Sequence, residues 1–326
     1  MRRRRSALAM VAAIALIAIP AVAVPVGAAG TTLSRHDQIV AYWTPARMRA
    51  AVPRDFVLDR SSFVPRGKPG AGGGVTGASW TKGGDVLRQT GKVYFVMGLS
   101  GYVCSGSVVD DTRTDKSLVL TAGHCAFDEA RGAFATDWLF IPDFDGSPTF
   151  ACGSTTYGCW TAEALVVDNG YASAGGFNTQ ATLHDFAFAV VGNTGHGATN
   201  LDVTVGSFPI AFSEDYRGVS LHAFGYPAAG KYHGNDLTYC AGTVFTDSLN
   251  SDRTWAMACG MTGGSSGGPW LSRFNEATGD GTLSSLNSYG YSGVRNMYGP
   301  KFNTDTQSVY AAAGTADATT GNVIVP

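Results

Sequence analysis

Little in this chain repeats with the period of a helix. No long segment carries a sustained helical spacing of apolar residues, so strands must build the core. Cysteine is absent before residue 100, and neither a close Cys-x-x-Cys pair nor two histidines at ligand spacing occur, which sets zinc aside. Cations are scarce in the body: from Ser79 onward there are twelve Arg or Lys against twenty-two Asp or Glu, a net charge near −10. That balance argues against nucleic acid as the main partner. Histidine is absent beyond His233. The apolar run Ala7 to Ile19 is too short to span a membrane comfortably.

That run follows Arg2 to Arg5 and precedes small residues around Ala28 and Ala29, the pattern of an export leader over residues 1–30. An uncleaved anchor is the alternative, and the four arginines also permit a twin-arginine route. Export is the expectation, to an extracellular location with no membrane partner once the leader is removed. From Thr31 to Ala78 the charge is reversed, with seven Arg or Lys against three Asp or Glu. Gly67 to Gly77 is glycine-rich and reads as a linker. Residues 31–78 therefore read as a pro-segment and linker, with a structural N-terminal extension as the rival. Trp43-Thr44-Pro45-Ala46-Arg47-Met48 marks a short ordered piece within it. A basic piece on an acidic body should inhibit in trans, and less strongly as salt rises.

Residues 79–326 read as a β domain. Lys92 to Met97, Tyr102 to Val109, Ser117 to Ala122, Trp138 to Ile141, Ala162 to Val167 and Phe186 to Val191 are short β-branched or aromatic runs. A second set comprises Val219 to Phe224, Asp236 to Phe245, Thr254 to Cys259, Trp270 to Leu271 and Leu283 to Tyr291. Asp305 to Ala313 is a short helix candidate. Many short strands between glycine turns suggest barrels or a sandwich.

Two stretches carry the chemistry. Thr121-Ala122-Gly123-His124-Cys125 ends an apolar strand with an imidazole, and Gly263-Gly264-Ser265-Ser266-Gly267-Gly268-Pro269 holds a hydroxyl in a glycine-dense turn. Acyl transfer needs a base for the serine proton and N–H donors for the oxyanion. Gly264-Ser265-Ser266-Gly267-Gly268 also fits the nucleophile elbow of α/β-hydrolases, but that order requires a histidine after the serine. None exists here. The subtilisin-type order, acid before His before Ser, could use Asp110 or Asp111 but needs an α/β architecture that the strands do not offer. Asp185 opens the apolar strand Phe186 to Val191, where a charge needs a partner such as an imidazole N–H. A strand-edge aspartate making a turn is the bland alternative. Asp168 and Asp202 lack that setting.

On these residues the chain resembles secreted trypsin-like serine proteases of chymotrypsin fold, of bacterial type, in or near the glutamyl-endopeptidase branch. Cys104-Ser105-Gly106-Ser107-Val108-Val109 and Ser288-Tyr289-Gly290 extend the resemblance to most of residues 80–326. It implies an all-β fold of two six-stranded antiparallel barrels with a cleft between them. It implies an endopeptidase in which His124 is the base, Asp185 its orienting acid and Ser266 the nucleophile, since that serine immediately precedes Gly-Gly-Pro. Gly264 and Ser266 amides should form the oxyanion hole. Gly260, Met261 and Thr262 should floor the substrate pocket. Asn287, Ser288, Tyr289 and Gly290 should flank the substrate, with Ser288 to Gly290 holding its backbone as an added strand.

Six cysteines in an exported chain imply three disulfides, with fifteen possible pairings. The histidine-loop bridge of the resembled family would pair Cys104 with Cys125. Cys152 and Cys159 should close a small loop, and Cys240 and Cys259 should join two strands. No metal or cofactor is required, although Asp143 to Asp145 is a loop to which calcium could bind.

Two departures stand out. Animal trypsins carry Asp before the nucleophile where this chain has Ser265, so activation through that salt bridge is not expected. Asn287 stands where glutamyl enzymes use histidine, which leaves a neutral, medium-sized side chain as the expected preference. A monomer acting on protein or peptide substrates is the expectation. The alternatives are a catalytically silent homologue that binds extracellular protein or glycan, and an esterase.

Overall fold

The computed structural model describes residues 32–58, 74–146 and 151–326. The leader expected over 1–30, and the linker as far as residue 73, lie outside the described residues. Residues 33–326 form one compact unit.

Six antiparallel strands close a barrel. Ser100–Val109 pairs with Thr90–Met97, which pairs with Thr136–Pro142, then Trp160–Asp168, Ala187–Val191 and Ser117–Thr121, and the last returns to Ser100–Val109. Each contains one of the six runs expected from the sequence or matches it to within a residue. Val93, Phe95, Val108, Leu118, Leu120, Phe140, Val166 and Phe188 are among its wholly buried side chains. Burying an aliphatic or aromatic side chain of this kind is worth about 1.5–3 kcal/mol, which selects the register that turns these faces inward.

The second half has two sheets. Val75–Ser79, Thr238–Thr243, Ser220–Gly225, Pro269–Asn275 and Asp280–Leu286 form a five-stranded antiparallel sheet. Phe245–Thr246, Trp255–Ala258 and Asn296–Gly299 form a three-stranded one. Leu221, Trp255, Met257, Trp270 and Met297 pack in one shared core. This arrangement is consistent with a second barrel, although among the described residues its two sheets do not close through strand pairing.

All three expected disulfides are present: Cys104–Cys125, Cys152–Cys159 and Cys240–Cys259. The last joins the two sheets of the second half. The C-terminal helix spans Thr304–Ala313, and Asn303 caps it by accepting from the Asp305 and Thr306 amides.

The front segment folds onto the body. Ser34 caps a helix over Arg35–Tyr42, and Thr44, followed by Pro45 at the first position, caps another over Pro45–Ala50. Ile39, Trp43 and Met48 are buried, and Trp43 Nε1 donates to the Asp137 carbonyl at 2.6 Å. Val52–Pro53 then pairs with Tyr102 and Val103, and Val57–Leu58 pairs with Gly290 and Tyr291, both in parallel.

Candidate active site

Strand pairing places the first two site residues. Ala187 lies opposite Thr121, so the residues just beyond those strand ends, Asp185 and His124, become neighbours. The His124 amide donates to Asp185 Oδ1 at 2.8 Å, and its ring Nδ1 lies 2.8 Å from Oδ2. The Ser288 hydroxyl also donates to Oδ2. Both His124 and Asp185 are wholly buried. A carboxylate removed from water needs such donors, and here three converge on it. The contact fixes which ring nitrogen carries the proton and leaves Nε2 as the basic one.

The Gly263–Pro269 turn lies across from this pair. Ser105 holds it: its hydroxyl donates to the Gly264 carbonyl at 2.8 Å and its amide to the Ser266 carbonyl at 2.7 Å. Gly264 and Gly267 have φ of +96° and +81°, which favour glycine. At Gly267 a Cβ would stand 2.3 Å from Thr121 Oγ1 and 2.4 Å from the Ser105 carbonyl oxygen. The serine turn is therefore packed directly onto the strand that leads to His124. Among the described residues, the Gly264 and Ser266 amides donate to no other group.

The hydrogen bond from Ser266 to His124 is not made. Nε2 of His124 is buried and meets no hydrogen-bond partner among the described residues. The Phe56 ring stands edge-on to the imidazole at 5.2 Å and stacks on Phe177 at 4.0 Å. Around it the front segment crosses the cleft. Arg54 donates to the His124 carbonyl, to the Phe127 carbonyl at 3.2 Å and to Glu129 Oε2 at 3.1 Å. The Asp55 carboxyl accepts from the Gly263 amide; burial pushes its pKa up, and the His124 ring and that amide only partly offset the rise. The Gly290 amide donates to the Phe56 carbonyl at 3.2 Å, and the Ser292 amide to the Leu58 carbonyl at 3.3 Å.

Gly260, Met261, Thr262, Ser288, Tyr289 and Gly290 all line a cavity of about 220 Å³ that also touches Ser266. Tyr291, Val294 and Met297 complete its wall, Arg295 stands at it as the one cation, and Asp55 and Val57 cover it. The wall is braced from behind, because the Tyr289 and Tyr291 hydroxyls donate to Asp247 Oδ2 at 2.7 and 2.8 Å. Burial raises the Asp247 pKa although both hydroxyls oppose it.

Asn287 corrects the expectation that it flanks the substrate. Its side chain is wholly buried, donates to the Phe224 and Ser265 carbonyls at 2.7 and 3.0 Å, and accepts from Trp270 Nε1 at 2.8 Å. It supports the serine turn from inside the second half. Ser105 and Asp247 were not singled out for these roles, and one sequence offers no local pattern for either. Asp168 instead caps Asn169–Ala172 through the Gly170 amide, and Asp202 accepts from Ser117. Among the described residues, Cys104, His124 and Cys125 are the one group close enough to hold a metal, and both sulfurs are committed to a disulfide.

No family model matches the chain, and no curated protein matches it. Among solved structures it is similar to the protease Anisep from Arthrobacter nicotinovorans, with 39% identity, a TM-score of 0.63, and coverage of 74% of this chain and 100% of that one. It is also similar to the thermostable serine protease AL20 from an extremophilic microorganism, with 36% identity, a TM-score of 0.61, and coverage of 72% and 100%. A Glu endopeptidase shares the fold at 19% identity and a TM-score of 0.55, over 74% of this chain and 98% of its own. With two relatives matched over their whole lengths at this identity, and a closed six-stranded barrel beside the serine turn, the chain belongs to the bacterial serine proteases of chymotrypsin fold.

Proposed function

We propose that this protein is a secreted serine endopeptidase, held latent by residues 33–58, in which His124, Asp185 and Ser266 form the catalytic triad. The observation that carries the reading is the Asp185-bound His124 ring, whose Nε2 meets no partner among the described residues, while Sγ of the adjacent Cys125 lies 3.9 Å from the Ser266 carbonyl oxygen. Once the front segment leaves, Nε2 takes the Ser266 Oγ proton as Oγ attacks the scissile carbonyl. The Gly264 and Ser266 amides hold the resulting oxyanion. His124 then gives that proton to the departing amine, and water, deprotonated by the same nitrogen, releases the acyl group. Asp185 orients the ring and stabilises the imidazolium. Six paired cysteines suit an oxidising, extracellular setting.

Latency rests on direction as well as contact. A substrate lays its acyl half along Ser288–Gly290, with one side chain in the cavity over Met261, and its leaving half toward His124 and Val103. The front segment runs the other way: Pro53 lies on Val103, Arg54 on His124, and Val57 on Gly290. A reversed backbone fills the cleft without presenting a scissile bond to Ser266. Cleavage upstream of Val75 removes this segment yet keeps Val75–Ser79, whose pairing with Thr238–Thr243 the body needs. Among the described residues the cavity then keeps Arg295 and no carboxylate in its lining, which disfavours a cationic side chain.

A fluorophosphonate probe tests both parts. The processed protein should label and Ser266→Ala should not. The uncut chain should resist the probe, and uncut Phe56→Ala should gain labelling. No labelling of the processed protein would favour a silent binding protein, and hydrolysis of small esters without cleavage of any protein an esterase.

A further inference from the structure

Lys92 is a buried ammonium that the proposed chemistry does not use. It sits on Thr90–Met97, 6% exposed, and its Nζ donates to the Gly234 carbonyl at 2.7 Å. Nζ also lies over the Phe144 and Tyr94 rings, at 4.5 and 5.4 Å from their centroids. Those contacts satisfy one proton directly and two aromatic faces weakly. The titratable groups on neighbouring segments are His233, Tyr94, Asp143, Asp145 and Asp236, and none of the carboxylates forms an ion pair with it. Burial alone, with no anion to oppose it, lowers the Lys92 pKa to about 8.

This ammonium borders a cavity of about 370 Å³. Three cationic or basic side chains line it, Lys92, His233 and Arg49, and among the described residues no carboxylate does. The same cavity also reaches residues beside the candidate site. Val103 and Ala228 line it, and the Ala228 amide donates to the Gly263 carbonyl at 2.7 Å, at the start of the serine turn. Pro53 also lines it, one residue before Arg54 reaches the His124 carbonyl. The cavity thus lies at the leaving-group end of the cleft, and Val52–Pro53 on Tyr102–Val103 demonstrates that a backbone can run along its rim. The wall supplied by Pro45, Met48, Arg49, Ala51 and Pro53 departs with the front segment and leaves the cavity open on that side, whereas Lys92 and His233 remain.

We propose that this cavity is a subsite for a carboxylate carried by the substrate within the first three residues after the scissile bond, with Lys92 as its counter-ion. An extended peptide advances about 3.3 Å per residue, so a side chain that close to the bond remains within the cleft. The proposal rests on the endopeptidase reading and deepens it, since it names a substrate class.

The test uses processed enzyme and peptides identical before the scissile bond, with Glu or Gln at each of the first three positions after it. Peptides ending at the third position as free acid or amide separate a terminal carboxylate from a side chain. We expect a Glu:Gln ratio of kcat/KM, or the acid:amide ratio, of about tenfold at one position, the scale of one desolvated charge contact. The ratio should fall to about one in Lys92→Met, and in unaltered enzyme once pH is high enough to remove the Lys92 proton. Because it compares two substrates of one enzyme, a general loss of activity cancels, and the pH arm needs no variant. A ratio near one at every position in unaltered enzyme would overturn the proposal. So would a preference that survives both Lys92→Met and high pH. Failure of the endopeptidase reading would look different, with no peptide cleaved and no probe labelling.

Discussion

The half that carries His124 and the half that carries Ser266 are built on opposite terms. In the first, a closed barrel brings two strand ends together and both oxygens of a buried carboxylate meet donors. In the second, a turn between two open sheets keeps two amides uncommitted and is held in shape from behind by Ser105 and Asn287. The histidine side gains precision from satisfied hydrogen bonds. The serine side gains it from rigid support around donors left free. A preorganised oxyanion site must leave its amides unpaired until the charge arrives, and only the surrounding packing can hold them there.

Substitutions on the two sides should separate these contributions. The largest effect is expected from Ser266→Ala, a loss of kcat by about 10⁶, against about 10⁴ for Asp185→Asn, which keeps the shape and loses the tautomer. Equal losses in kcat/KM assays of processed enzyme would erase the distinction. Next comes Asn287→Ala, which strands the Phe224 and Ser265 carbonyls and the Trp270 indole N–H. We expect about 3 kcal/mol less stability in denaturant titration. We also expect kcat to fall while KM barely moves, because the turn and not the pocket loosens. A KM effect alone would place Asn287 at the substrate after all.

The smallest effect concerns how the front segment spans both sides. Asp55 is raised by burial when docked, so docking takes up protons and is favoured at low pH. The sign is fixed by the direction of that shift: the contribution is full below the ordinary carboxylate value and fades as pH rises through the higher docked one. Labelling of the uncut chain by the fluorophosphonate, relative to processed enzyme, should therefore increase with pH across that window. Asp55→Asn should flatten the relative slope, and an unchanged slope would assign the proton elsewhere.

Much of this was legible in the sequence because short apolar runs with β-branched residues have few other uses. Phe186 to Val191 and Ser117 to Ala122 named two barrel strands whose pairing then brings Asp185 to His124. The cysteine pairs were legible too. Val75–Ser79 was not, since its Val-Thr-Gly core is glycine-rich and becomes a strand only because Thr238–Thr243 offers an edge. Asn296–Gly299 was missed for a similar reason, its partner being Trp255–Ala258. Arg35–Tyr42 and Pro45–Ala50 are too brief for a helical period to emerge.

The sequence by itself determined the strand-rich class and, with the family resemblance, the three disulfide pairs, and it singled out His124, Asp185 and Ser266 as candidates, because each reading depends on local chemistry or on order along the chain. Tertiary structure alone decided that Phe56 stands against His124, that Asn287 faces inward, and that Lys92 meets a cavity without an anion. Those facts depend on which surfaces meet from distant parts of the chain, 142 residues apart in the case of Lys92 and Gly234. No run of neighbours encodes such a meeting, because it is settled by the packing of the whole core.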